Sequence, residues 1–226
     1  MATSREHIYA ILNIYNAGPS SDDSIIPEPL VLHYMNVTRS LLLKRKADKG
    51  ALSDRNKQSF CLDLVPSKFF DCSCIMPEHN CIILRARQPL PEYLSTKDKA
   101  LIEVRLLDGT VLNQTSYTTL KKASFSRTGE NKISWFIFNS FLYVVGSLKL
   151  EKIVVSGVFD DPLSVSKFVN CEEGGSCYDD LSAYPIEPDL IHPMYTMVLD
   201  MIIPTKNLPQ DDENNARNST IVQDEE

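Results

Sequence analysis

No apolar run in this chain approaches the ~20 residues that a membrane-crossing helix needs. The longest, such as residues 135–138 and 141–146, fall far short of it. The opening Met1-Ala-Thr-Ser-Arg-Glu-His is polar and carries both signs of charge, with no apolar stretch behind it. That predicts a soluble chain made in the cytoplasm, with no secretion leader and no membrane partner. Enzyme signatures are missing too. There is no Gly-x-Gly-x-x-Gly, no phosphate-binding Gly-x-x-x-x-Gly-Lys-Ser/Thr, no Gly-x-Ser-x-Gly and no His-Glu-x-x-His. The chain has only four histidines, His7, His33, His79 and His192, in unlike contexts. His7 and His33 are expected to face solvent or a partner. These absences favour binding or assembly over turnover, with no cofactor.

What is present is ordinary globular material. The 226 residues are 43% hydrophobic and 23% charged, enough for about 70% of the unfolded surface to be buried without covalent staples. Charge is uneven. Residues 210–226 hold six acids, among them Asp211, Asp212 and Glu213, against one base, Arg217; this −5 leaves only −2 of the net −7 on the other residues. A nearly neutral body disfavours a generic nucleic-acid binder. Between residues 39 and 57 the sign reverses, with seven bases against two acids.

Periodicity predicts an α+β domain. Ser4 reads as an N-cap, followed by His7, Ile8, Ile11, Leu12 and Tyr15 at helical spacing, with Gly18-Pro19 as the stop. A second helix begins near Pro27 or Pro29, with Leu30, Tyr34, Val37, Leu41 and Leu42 on its apolar face and Gly50 after it. Together they form an antiparallel helix pair with a basic far end, where Lys44, Arg45, Lys46 and Lys49 complement the helix dipole. The period then shortens. Strands are expected at residues 60–65, 81–85, 101–107, 133–139, 141–146 and 152–157, with Asn139-Ser140 as a two-residue hairpin turn. They compose a mostly antiparallel sheet of five or six strands, followed by a short helix near residues 162–169. A closing helix at residues 190–203 carries Leu190, Met194, Met197, Val198 and Met201 and stops at Pro204. The methionine stripe is read as core. Beyond Pro209 only Ile221-Val222 is apolar, so an acidic tail, disordered when alone, is expected. The implied divisions are a helical hairpin at 1–50, a β-rich body at 51–187, a closing helix at 188–205 and the tail at 206–226, all one structural unit.

The cysteines are the sharpest local signal. Cys61, Cys72, Cys74 and Cys81 lie near His79, a set of side chains that tetrahedral zinc accepts. The Cys-x-Cys spacing does not fit the common paired zinc arrangement, and buried free thiols are the simpler reading in a cytoplasmically made protein. Cys171 and Cys177 flank a flexible loop long enough to let them meet. Six cysteines allow fifteen pairings, so sequence does not choose among them. The acid pairs Asp160-Asp161 and Asp179-Asp180 are read as solvated turns rather than cation ligands.

Several segments, in order, carry a family resemblance: Ser4-Arg-Glu-His-Ile-Tyr-Ala-Ile-Leu-Asn-Ile-Tyr-Asn-Ala-Gly18, then Ser21-Asp-Asp-Ser24, Leu41-Leu-Leu-Lys-Arg-Lys46 and Lys49-Gly50. Cys81-Ile-Ile-Leu-Arg85, Ser134-Trp-Phe-Ile-Phe138, Val155-Ser-Gly-Val-Phe-Asp-Asp-Pro162 and Tyr184-Pro-Ile186 follow. Over residues 4–205 the chain resembles head-to-tail connector ring or adaptor proteins, virion structural proteins of crAss-like tailed phages. The resemblance implies a homo-oligomeric ring of about twelve copies in the phage neck, closed by rotation. It further implies contact with the portal protein and with other connector or tail proteins, a channel passing genomic DNA without sequence preference, synthesis in the host cytoplasm, and no catalysis. Interface candidates are then Lys44, Arg45, Lys46 and Lys49 at the basic end, and Asp211, Asp212, Glu213, Ile221 and Val222 in the tail. The competing reading is a zinc-stabilised regulatory or nucleic-acid-binding domain built on Cys61, Cys72, Cys74 and Cys81.

Overall fold

The computed structural model describes residues 2–18, 26–67, 83–96, 100–116, 119, 133–146, 149–171, 175–179 and 181–206, with the side chains of 204–206 excepted. It is an α+β fold: two N-terminal helices, a central mostly antiparallel sheet and a C-terminal helix.

Helix α1 spans Ser4–Asn16. Its cap is Thr3, one residue before the expected Ser4: Glu6 N–H donates to Thr3 Oγ1 at 3.2 Å and Thr3 N–H donates to Glu6 Oε2 at 2.8 Å. This reciprocal pair satisfies two donors that a helix start leaves free. Ser4 is instead buried, its hydroxyl 3.2 Å from that of Tyr178.

Helix α2 spans Glu28–Asp48, entered through Pro27. Its inner face is Val31, Met35, Thr38, Arg39, Leu42 and Leu43. The expected face is therefore rotated: Val37 is 46% exposed and Leu41 39%. Apolar residues sit nearly all round this helix, so spacing alone does not select the buried stripe. Helix α3, Pro188–Lys206, continues past Pro204 rather than stopping there. Its start lies beside the last turn of α2, where Lys46 pairs with Asp189. Met194 is fully buried, as a core stripe requires, whereas Met201 at its outer edge is 36% exposed.

The sheet holds β1 (Gln58–Pro66), β2 (Ile83–Ala86), β3 (Ile102–Arg105), β4 (Asn113–Gln114), β5 (Ser134–Phe138), β6 (Phe141–Val145) and β7 (Lys152–Gly157). The order is β3-β7-β1-β2-β6-β5-β4. Every described pairing between these strands is antiparallel except β4 with β5. Strand β1 is long enough to serve both halves: residues 58–63 pair with β7 and residues 64–66 with β2. The β5–β6 turn is Asn139-Ser140 with φ of 48° and 64°, the left-handed pair that suits strand twist in a two-residue hairpin. The expected short helix is a 3-10 segment, Pro162–Lys167, capped by Asp161.

Two main cores result. One lies on the sheet and includes Phe60, Leu62, Leu84, Trp135, Leu142, Val144 and Val155. The other joins the three helices and includes Ile11, Val31, Met35, Leu43, Met194 and Val198. They meet at the end of β7, where Val158 belongs to the helical core and Phe159 to the sheet core. Alternation of side chains along an extended segment sends consecutive residues to opposite sides.

Candidate assembly surface

The C-terminal half of α2 sorts its bases into two kinds. Lys44, Arg45 and Lys49 are exposed and form no ion pair with described residues. Lys46 turns inward, paired with Glu187 and, at 2.8 Å, with Asp189. Hydrogen bonds to Asp189 and Glu187 raise the Lys46 pKa, and the same contact lowers that of Asp189. Of the four basic-end candidates, three remain as surface cations and one fastens α2 to α3.

Arg39, the first base of the run, is buried completely. Its Nε donates to Pro185 O at 2.8 Å, Nη1 to Phe159 O at 2.8 Å and Nη2 to Asn56 O at 3.4 Å. One guanidinium thus binds three chain segments, which its rigid fork of donors allows. Beside it, Glu187 Oε1 accepts from Asn56 Nδ2 at 2.5 Å and from Ser53 N–H at 3.2 Å, while Glu187 N–H donates to Asn56 Oδ1 at 3.1 Å. By sequence Arg39 is simply the first base of the run at 39–57; the segments it contacts are 17 to 146 residues away along the chain, so no local signal marks it.

The N-terminal half of α2 is different. Pro29, Leu32, His33, Asn36, Val37 and Ser40 line an open cleft of about 580 Å³ with Glu92, Asp160, Asp161 and Leu163, and no lysine or arginine among the described residues lines it. Asn36 Nδ2 donates to Asp161 Oδ1 at 3.1 Å and Asn36 Oδ1 accepts from the Tyr184 hydroxyl at 2.9 Å. Asp161 Oδ1 also accepts from Leu163 N–H at 3.1 Å. A second cleft of about 430 Å³ shares Pro29, Leu32 and Leu163 and extends to Leu181 and the first turns of α1. Leu181 is 84% exposed. The helix therefore presents an acidic, apolar-floored hollow along one half and a cluster of cations at the other.

A family model described as phage tail ring protein 2 matches residues 6–225. The chain belongs to this family. It is also similar to Ring protein 2 of Bacteroides phage crAss001, 25% identical over 228 residues, covering 95% of this chain and 96% of that protein. Membership makes this a structural ring protein of the phage tail, and its surfaces are to be read as assembly surfaces.

As a tail ring protein the chain uses its remaining candidates structurally. Cys61 is bonded to Cys171, with Cα atoms 5.2 Å apart, and the Cys177 thiol is free. Cys171 therefore meets β1, not Cys177 as the intervening loop suggested, because Val169 bridges Cys61 and draws the neighbouring residues to that strand. Burial raises the Cys177 pKa. Cys72, Cys74, His79 and Cys81 lie outside the described residues, as do Asp211, Asp212, Glu213, Ile221 and Val222. His33 and His192 are exposed. His7, expected at the surface, is buried, with Nδ1 2.6 Å from the Tyr195 hydroxyl. The closing helix supplies Tyr195, a contact no local pattern announces. No described helix is long and apolar enough to cross a membrane.

Proposed function

We propose that this tail ring protein acts as a purely structural element of the phage neck, a closed ring of identical subunits that links the portal to the tail and surrounds the path of the DNA. The observation that carries the reading is the family match over residues 6–225, which supports a structural role for the chain as a whole. A body of charge near −2 supports the channel role. Its many lysines and arginines are matched by a slightly larger number of acids, so the net pull on phosphates is weak and DNA would pass rather than be retained. The helical hairpin, β-rich body and closing helix act as one unit in the subunit. The acidic segment 210–226, with Ile221 and Val222, reaches to a basic surface of a neighbouring neck component. About twelve copies would complete the ring.

Imaging the neck of purified virions tests this directly. The expected result is a single ring of this protein next to the portal, with DNA density along its axis. Finding it in the distal tail, or absent from virions, overturns the placement. Removing residues 210–226 should lower the yield of neck complexes while the subunit still folds. Unchanged assembly would remove that segment from the interface.

A further inference from the structure

We propose that copies of this chain join head to tail through α2. The basic, leucine-bearing C-terminal end of one copy seats in the acidic cleft over the N-terminal half of the next. The inference rests on ring assembly and specifies its surface.

The two patches match in charge and in apolar content. The cleft lining includes Glu92, Asp160 and Asp161 together with His33, and no lysine or arginine among the described residues lines it; Glu92 and Asp161 are its exposed carboxylates. The opposing end exposes Lys44, Arg45 and Lys49. Leu41, 39% exposed, stands one turn before Arg45, and the cleft offers Leu32, Leu163 and the 46% exposed Val37 as a floor. An exposed leucine flanked by Lys44 and Arg45 is thus complementary to an apolar hollow that carries Glu92 and Asp161, and complementary charge fixes register and speeds encounter. Both patches ride on one helix, which cannot fold back to satisfy itself. A contact between one copy's end and the next copy's cleft leaves a free end and a free cleft, so copies add until the rotation closes a ring. A two-fold antiparallel pairing of α2 helices would consume both patches at once and stop at a dimer.

Equal amounts of ordinary and nitrogen-15-labelled full-length protein, mixed and treated with a carbodiimide, provide the test. This reagent joins only amines and carboxylates already in contact. The expected products are mixed-isotope links from Lys44 or Lys49 to Glu92 or Asp161. Links between Lys46 and Asp189, within one chain, should remain single-isotope and serve as the control. Glu92→Lys should weaken self-association about tenfold, roughly 1.4 kcal/mol, and so should the Arg45→Glu, Lys49→Glu double variant. Mixing the two variants should restore association, because each altered end then has an altered cleft to meet. A terminal dimer, or mixed-isotope links that fall elsewhere in larger assemblies, overturns the α2 contact while leaving a ring intact. A chain that stays monomeric at millimolar concentration and 50 mM salt overturns the contact as well. A ring of these subunits imaged in virions would then show that only the surface was misassigned.

Discussion

Phe60, Trp135, Leu142 and Val155 fill the sheet core with apolar surface, whereas the helical layer is fastened at its margin by Arg39, Asn56 and Glu187, all of them buried polar groups. Hydrophobic burial has no direction, so the sheet core stabilises compactness without dictating which loop lies where. A guanidinium that must meet three carbonyls does dictate it. Arg39 fixes α2 against the end of β7, the segment before α3 and the turn at Asn56. Burying that charge carries a desolvation penalty, and the opposing gain is realised only when every partner is in place. The sheet supplies bulk stability, and the polar node supplies position. For a subunit that must repeat the same contacts around a ring, a fixed relation between helices and sheet is the property that matters.

The contrast is sharpest under deletion. Arg39→Met removes the donors of three carbonyls in a fully buried place, and with each buried acceptor left unsatisfied costing about 1–3 kcal/mol it should cost about 3 kcal/mol or more. Phe60→Leu, in an equally buried sheet position, stays apolar but loses the ring contacts with Phe159 and Phe168, and should cost roughly 1–2 kcal/mol. Urea unfolding of both variants against the parent measures the difference. Equal losses would mean that Arg39 adds nothing beyond the volume it fills.

The disulfide tests the sheet side. Cys61 and Cys171 are 110 residues apart; loop-closure entropy puts the effect of so long a loop at the upper end of the about 2–5 kcal/mol that losing a native disulfide removes. The sheet core should nevertheless hold, since a chain of this size does not depend on staples. Reductant should lower Tm while the cooperative transition survives, and Cys61→Ala with Cys171→Ala should reproduce the shift. Outright unfolding at room temperature on reduction would show that the apolar core is weaker than its burial implies.

Much of the sheet is legible in the sequence, because strand alternation and turn chemistry are local. Strand β7 occupies the expected residues 152–157, and Asn139-Ser140 forms the expected two-residue hairpin turn, with both residues left-handed. Strand β4 was not anticipated: two exposed residues, Asn113 and Gln114, carry no alternation to detect. The helices were found by period, but the α2 face was misassigned, since Val37 and Leu41 are as apolar as the residues that are buried. Which apolar side turns inward is decided by α3 and by Arg39, both remote in sequence. The exposed Lys44, Arg45 and Lys49 were visible as a charge run. Their acidic counterpart was not, because Glu92 and Asp161 come together only when the chain between them folds.

The smallest expected effect lies in the helical layer and is one of pH. His7 is 3% exposed, and the rings of Tyr184 and Tyr195 stand edge-on to it, each with its centroid 5.7 Å away. Burial lowers its pKa from the usual value near 6.5, and the nearby Glu6 carboxylate opposes this more weakly. The unfolded chain therefore binds a proton more readily than the folded one as pH falls through about 6.5. By linkage, stability is full above that value and declines as pH falls, until pH drops below the depressed folded value and the loss levels off. Urea midpoints measured from pH 7.5 to pH 5 should fall, and part of that slope should vanish in His7→Gln. The difference between the two proteins isolates His7 from carboxylates that titrate at lower pH. Carbon-13 NMR of the imidazole should place its midpoint below 6.5. A midpoint above 6.5, or a slope unchanged by the substitution, would show that protonated His7 is accommodated and that this corner of the helical layer tolerates charge.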